Sequence, residues 1–340
     1  MRKYLLLTLL LLSIFTRLGF ATHNRAGEIT YEQIGDLTYR ITVITYTATG
    51  PGPVADRPKL DVVCGDGTTV VVPRSEEVFL PDYYKRNRYV FEHTYPGPGT
   101  YQIIVEDPNR NQGVKNIPNS VNVVFSIKTI LIINPEIGYN NAPVLLNPPI
   151  DKAALGYTFI HNPAAFDPDG DSLSYKLAIC TEEDGKEIEG YTFPPFSDSL
   201  VVNELTGDLI WAAPTDTGKY NVAMTIEEWR NGVQIGRIQR DMQIEVYLSD
   251  NNPPEIRDVG TYCILAGESF STELTATDPD GDSVLLEATG GPLSLEKNPA
   301  RFRQVLSVRG MAKATFNWTT SCDLVRQQPY LVIVKAKDLN

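Results

Sequence analysis

Asp-Pro-Asp-Gly-Asp stands twice in this chain of 340 residues, at 167–171 and at 278–282. The copies lie 111 positions apart, about the length of one β-sandwich domain. Asp167, Asp169 and Asp171, and again Asp278, Asp280 and Asp282, place carboxylates at every second position around a Pro and a Gly. Hard oxygen ligands on a flexible turn suit Ca²⁺, and no loop of EF-hand spacing is present. Calcium is therefore the expected cofactor, held through these six residues. The alternative is a solvated acidic hairpin, in which Pro and Gly make the turn and Asp merely tolerates it.

The remaining reactive side chains form no nucleophilic or metal-hydrolase pattern. Gly-x-Ser-x-Gly, His-Glu-x-x-His and phosphate-cradling glycine loops are absent. His23, His93 and His161 stand far apart, each in a different local context. Glu227 and Glu228 beside Trp229 offer a carboxylate next to a sugar-stacking ring. An acidic strand end before an Asn231-Gly232 hairpin explains them more simply. No catalytic residue is assigned, and an enzyme is not expected. The four cysteines include no Cys-x-x-Cys pair, which argues against zinc and redox sites. Disulfides are permitted in an exported chain. Cys263 and Cys322, both late in the sequence, are expected to pair. Cys64 and Cys180 fall in different segments, open between a bridge across domains and two thiols.

The elements that must carry these residues are strands. Alternation of apolar and polar residues runs through 38–46, 120–127 and 241–247, as half-buried strands require. No long segment shows a helical apolar stripe. The 25 Gly and 24 Pro break the strands at turn spacing, which points to an all-β protein of tandem immunoglobulin-like sandwiches. Asn140-Asn141-Ala142-Pro143 and Asp250-Asn251-Asn252-Pro253-Pro254 read as linkers, because Pro ends strand pairing and Asn favours turns. The expected domains are 22–137, 138–250 and 251–340. Trp211 and Trp318 fall at matching positions of the last two and are expected to anchor their cores.

At the N-terminus, Arg2 and Lys3 precede an apolar stretch too short to span a bilayer, and Gly19-Phe20-Ala21 supplies a small-residue cleavage site. A signal peptide at 1–21 and a secreted, cell-surface location are expected, with no stable membrane insertion after cleavage. A net charge of −12 argues against nucleic acid as a partner.

Three resemblances follow from particular motifs. Cys64-Gly65-Asp66-Gly67-Thr68 with His93-Thr94-Tyr95-Pro96 and Gly99-Thr100-Tyr101 resembles the PKD-type β-sandwich, which implies that fold for 22–137. The Asn-Asn openings, the acidic turns and the Trp strands resemble cadherin-like and immunoglobulin-like repeats of bacterial surface proteins. That likeness implies calcium between domains and adds Asp250 and Asn252 to the candidate ligands. Thr22-His23-Asn24-Arg25-Ala26-Gly27-Glu28-Ile29 and Arg240-Asp241-Met242-Gln243-Ile244 resemble the N-terminal region of large secreted proteins of gliding Bacteroidetes, of the kind exported by type IX secretion. The combined expectation is a non-catalytic spacer and adhesion protein whose partner is a protein or glycan at the cell surface. The alternative is an accessory region of a larger secreted hydrolase. Matching 330–336 to 221–227 suggests that the last domain lacks a final strand.

Overall fold

The computed structural model describes residues 24–50, 56–257 and 260–339. The expected signal segment lies outside them. The first unit supplies β1 (Asn24–Gln33), β2 (Thr38–Ala48), β3 (Lys59–Val63), β4 (Thr69–Leu80), β5 (Tyr84–Thr94), β6 (Gly99–Asp107) and β7 (Phe125–Ile133). The second supplies β8 (Val144–Leu145), β9 (Ile150–Ala154), β10 (Phe159–His161), β11 (Ala165–Phe166), β12 (Ser172–Ala178), β13 (Leu200–Val202), β14 (Leu209–Trp211), β15 (Gly218–Arg230) and β16 (Val233–Tyr247). The third supplies β17 (Glu255–Ile256), β18 (Ser269–Thr277), β19 (Val284–Gly290), β20 (Arg301–Val308), β21 (Met311–Thr319) and β22 (Val332–Asp338). Among the described residues, α-helix is confined to one turn at Gly291–Ser294. The all-β expectation therefore holds.

Alternation becomes burial. In β2, Tyr39, Ile41 and Val43 face the core while Arg40, Thr42 and Ile44 stay half exposed. β16 departs from the half-buried strand expected for it: residues 238–244 are all buried. The reason is its position. β16 pairs with β15 along its length, with β7 at Gly236↔Leu131, in parallel with β9, and with β1 at Gly27↔Asp241. A strand covered on both faces and both edges has no solvent side.

This pairing corrects the expected domain boundary at 137/138. One sheet runs β1-β2-β5-β4-β3-β6-β7-β16-β15-β12, joining strands from both sides of it. One hydrophobic core likewise contains Ile29, Phe125 and Ile127 together with Trp211, Ile238 and Met242. The first two units are a single packed body. Polar side chains at the join are buried and find partners, as burial demands, although Arg110 Nε and Nη1 and Arg240 Nη1 have none. Arg240 Nε donates to Glu28 Oε2 at 2.5 Å, and Arg110 Nη2 to Asp241 Oδ2 at 2.6 Å. Asn221 and Gln243 complete the network through Asp241, Asn111 and each other. Glu28 and Arg240 come from two of the segments singled out by sequence, and they meet here.

The third unit has its own core of Leu274, Val284, Leu286, Phe316 and Trp318. It repeats the second unit in register. Phe159 opposes Trp211, and Phe270 opposes Trp318. Trp211 Nε1 donates to Pro195 O and Trp318 Nε1 to Asn298 O, so both rings anchor cores as expected. Tyr220 stands edge-on to Trp211 and Tyr330 edge-on to Trp318, at 5.4 and 5.0 Å between centroids. Tyr330 therefore matches Tyr220, one residue away from the match read in the sequence. β22 corresponds to β15; it pairs with β19 on one edge, and no described strand covers the other.

Cys263 and Cys322 are free and exposed, contrary to the expected disulfide. The β18–β21 register pairs Ser269 with Thr319. Extended outward, it sets Cys322 level with Ala266 rather than Cys263, and a 3₁₀ turn at Cys322–Leu324 carries the chain away. Cys64 and Cys180 are buried thiols.

Candidate cation site

Each acidic turn is organised by its first aspartate. Asp167 Oδ1 accepts the N–H groups of Asp169 and Asp171, both at 2.9 Å. Asp278 Oδ1 accepts those of Asp280 and Asp282, also at 2.9 Å. Gly170 and Gly281 make this possible, at φ of 87° and 81°. A side chain there would strain the reversal that points the next N–H back at the first carboxylate.

The Asn-Asn openings clamp the turns. Asn141 donates its backbone N–H and Nδ2 to the two oxygens of Asp169, at 2.7 and 2.9 Å. Asn252 does the same to Asp280, at 2.6 and 2.9 Å. The preceding residues reach a facing strand: Asn140 Nδ2 donates to Glu228 Oε2 at 3.0 Å, and Asn251 Nδ2 to Asp338 Oδ2 at 2.8 Å. Glu228 opposes Leu173, and Asp338 opposes Val284, six residues beyond the first Asp of each turn. Glu228 and Asp338 are thus the same position in the two repeats.

In the second unit this builds a buried cluster. Ligand-capable oxygens of Asp167, Asp171 and Glu228 lie within 4.8 Å of one another. Asp167 is fully buried and Glu228 is 1% exposed. Asp167 Oδ2, Glu228 Oε1 and the nearby hydroxyl of buried Tyr31 have no hydrogen-bond partner. Burial pushes the Glu228 carboxyl up to about 10, and the Asp167 charge adds to the rise. Burial likewise lifts Asp167 to about 6. Burial and mutual repulsion thus favour the neutral form of Glu228 over a second buried charge beside Asp167. Arg230 supplies the cluster's fixed positive charge. Its Nε and Nη2 donate to both oxygens of Asp171, at 2.8 and 2.5 Å.

The candidate ligands separate accordingly. The structure brings Asp167 and Asp171 together with Glu228. Both oxygens of Asp169 are held by Asn141, and Asp169 is exposed. Asp250 is exposed and belongs to neither cluster. Asn252 reaches Asp280 of its own unit with its amide nitrogen, and its Oδ1 accepts from Tyr157 of the second unit at 2.6 Å. The ligand set implied by the cadherin likeness, with Asp250 and Asn252 holding an ion between domains, is not assembled. In the third unit Asp278 Oδ2 is buried without a partner, Asp280 is clamped by Asn252, and Asp282 follows the turn. Hydrogen bonds from Asn252 lower the Asp280 carboxyl.

Sequence reasoning read Glu228 as an acidic strand end and passed over Arg230, Tyr31 and Asp338. A signal existed for two of them: an acidic residue follows Tyr220 and Tyr330 by eight positions in both repeats. The other turn singled out, Gly65-Asp66-Gly67, is structural. Asp66 caps Thr68 and pairs with His93 Nε2 at 2.8 Å, and a Cβ on Gly65 would sit 2.7 Å from the Gln102 backbone.

No protein-family profile matches the chain, and no curated protein matches it. Among solved structures, the surface-layer protein rSbsC is similar over 93% of this chain and 53% of its own, at 10% identity and a TM-score of 0.19. The N-terminal four Ig domains of Dscam1 isoform 6.44 are similar over 93% and 96%, at 8% identity and a TM-score of 0.16. The chain spans about half the length of the surface-layer structure it matches.

Proposed function

We propose that this chain is a non-catalytic part of a secreted, cell-surface protein, in which β-sandwich units act as spacers and adhesive modules. The observation that carries the reading is the repeated clamp. The same Asn-Asn opening, acidic turn and facing carboxylate recur in one register in two successive units. Such a device fixes how the chain enters each sandwich, which is what a spacer needs and a catalytic cleft does not. The partner is a protein or glycan at the cell surface.

Calcium belongs to this reading at the third unit. What supports it there is one hard oxygen, Asp278 Oδ2, buried and without a hydrogen-bond partner on the acidic turn, with Asp338 on the neighbouring strand opposite Val284. In the second unit the residues do not fit an added ion. Asp171 and Asp169 are already bound on both oxygens, leaving Asp167 Oδ2 and Glu228 Oε1, far short of the roughly six to eight oxygens calcium takes.

Calorimetry of the full chain in millimolar calcium and in chelator tests the metal. Calcium is expected to raise the melting temperature of the third unit, and Asp278→Asn to abolish the rise. An unchanged curve returns that turn to a plain acidic hairpin. Glycan-array and cell-binding assays test adhesion; silence in both reduces the chain to a spacer.

A further inference from the structure

We infer that Arg230 is a built-in cation, occupying in the second unit the position a divalent ion would take and making that unit's acidic turn independent of metal. The inference rests on reading the repeated turn as a cation site, and it reverses the expectation for one of the two copies.

The guanidinium is surrounded as an ion would be. It donates to five oxygens: both of Asp171, the backbone carbonyls of Ile137 and Tyr139, and Asn140 Oδ1, at 2.5–3.0 Å. These come from two separate segments: the acidic turn, and the chain entering the unit at 137–140. Asp167, with one buried oxygen unpartnered, clusters with Asp171 and would offer a further hard oxygen once the guanidinium is gone. A planar five-donor fork suits such a ring of acceptors, and unlike a metal it cannot be lost. The Asn231-Gly232 turn, with φ of 52° and 79°, closes the β15–β16 hairpin directly after Arg230 and fixes where the side chain begins.

The repeat supplies the contrast. In the sequence, Arg230 stands two positions after Glu228, and Asn340 two positions after Asp338. An Asn carries no charge, so the third unit has no internal cation at that position of its sequence.

Removing the guanidinium should therefore create a metal site. Equilibrium dialysis against Ca²⁺ counts ions bound per chain in the parent and in Arg230→Met. The variant is expected to bind one more ion than the parent and to show terbium luminescence sensitised by Trp229 that Asp171→Asn removes. Arg230→Lys, which keeps a charge, should gain no site. The readout is a difference, so a third unit that takes no calcium lowers both counts equally and leaves it intact. Equal counts in parent and Arg230→Met overturn the inference, as does a parent ion lost on Asp171→Asn. If Arg230→Met folds only in calcium, by its β-type circular dichroism, the inference stands. If it folds in neither condition, Arg230→Gln takes its place, and no gained ion there overturns it as well.

Discussion

The acidic turns of the second and third units share their backbone, their Asn clamps and their register, yet they are neutralised differently. In the second, Arg230 holds both oxygens of Asp171 and burial raises the Glu228 carboxyl beside Asp167, in a body whose core is shared with the first unit. In the third, Asp280 is exposed, Asp278 keeps a bare buried oxygen, and no described strand covers the outer edge of β22. One turn motif thus closes on a guanidinium in one setting and leaves the Asp278 Oδ2 oxygen without a hydrogen bond in the other. What decides is the end of the facing strand and how deeply it is covered, because burial raises the cost of any carboxylate left without a counter-charge.

The contrast is sharpest at the join of the first two units. Arg240→Ala leaves Glu28 buried without its partner, a change worth about 3–5 kcal/mol. Urea unfolding should show the first and second units destabilised together and the third unit's transition unmoved; separate losses in the first two would undo the single-body reading. Asp171→Ala comes next. It strands the Arg230 guanidinium and is expected to cost about 2–3 kcal/mol, somewhat below the range for removing one partner of a buried pair because Arg230 is partly exposed. The same change at half-buried Asp282 should cost less in chelator. Equal losses would mean that the two turns are not differently filled.

A different kind of effect separates them by pH. Glu228 has a folded pKa of about 10, against 4.5 for an ordinary glutamate, so its protonated form favours the fold. That contribution is full below about pH 4.5 and is lost as pH rises toward 10, with a slope of at most about 1.4 kcal/mol per pH unit. Melting in chelator between pH 6 and 9 should show the joined body losing stability as pH rises, and Glu228→Gln should flatten the curve. The smallest effect is at the clamps. Asn141→Ala removes one side-chain hydrogen bond to exposed Asp169 and the one its Oδ1 accepts from the Gln33 N–H, and should cost about 1 kcal/mol. Asn252→Ala should behave alike; a large loss at either position would place the latch in the clamp rather than in the facing strand.

Much of this was legible in the residues. The acidic turns, the hairpins and the Trp anchors are local or periodic features, and alternation marks strands wherever one face meets solvent. β16 misled because it is covered all round, and alternation describes only a half-buried strand. The boundary at 137/138 misled because Asn-Pro linkers mark where the chain turns, not which strands pair across the turn. The disulfide misled because closeness in sequence order says nothing of the register that offsets Cys263 from Cys322. Glu228 read as a hairpin-end acid because its partners, Asp167 and Asn140, lie 61 and 88 positions upstream.

By itself the sequence determined the repeat, the turns and the all-β character, since φ preferences, turn chemistry and side-chain period act over a few residues. Tertiary structure alone decided that two of three units share one core, that Arg230 closes one turn, and that burial raises the Glu228 carboxyl. Each of those depends on how much water and how many charges surround a group, and that is set by strands brought together from distant parts of the chain.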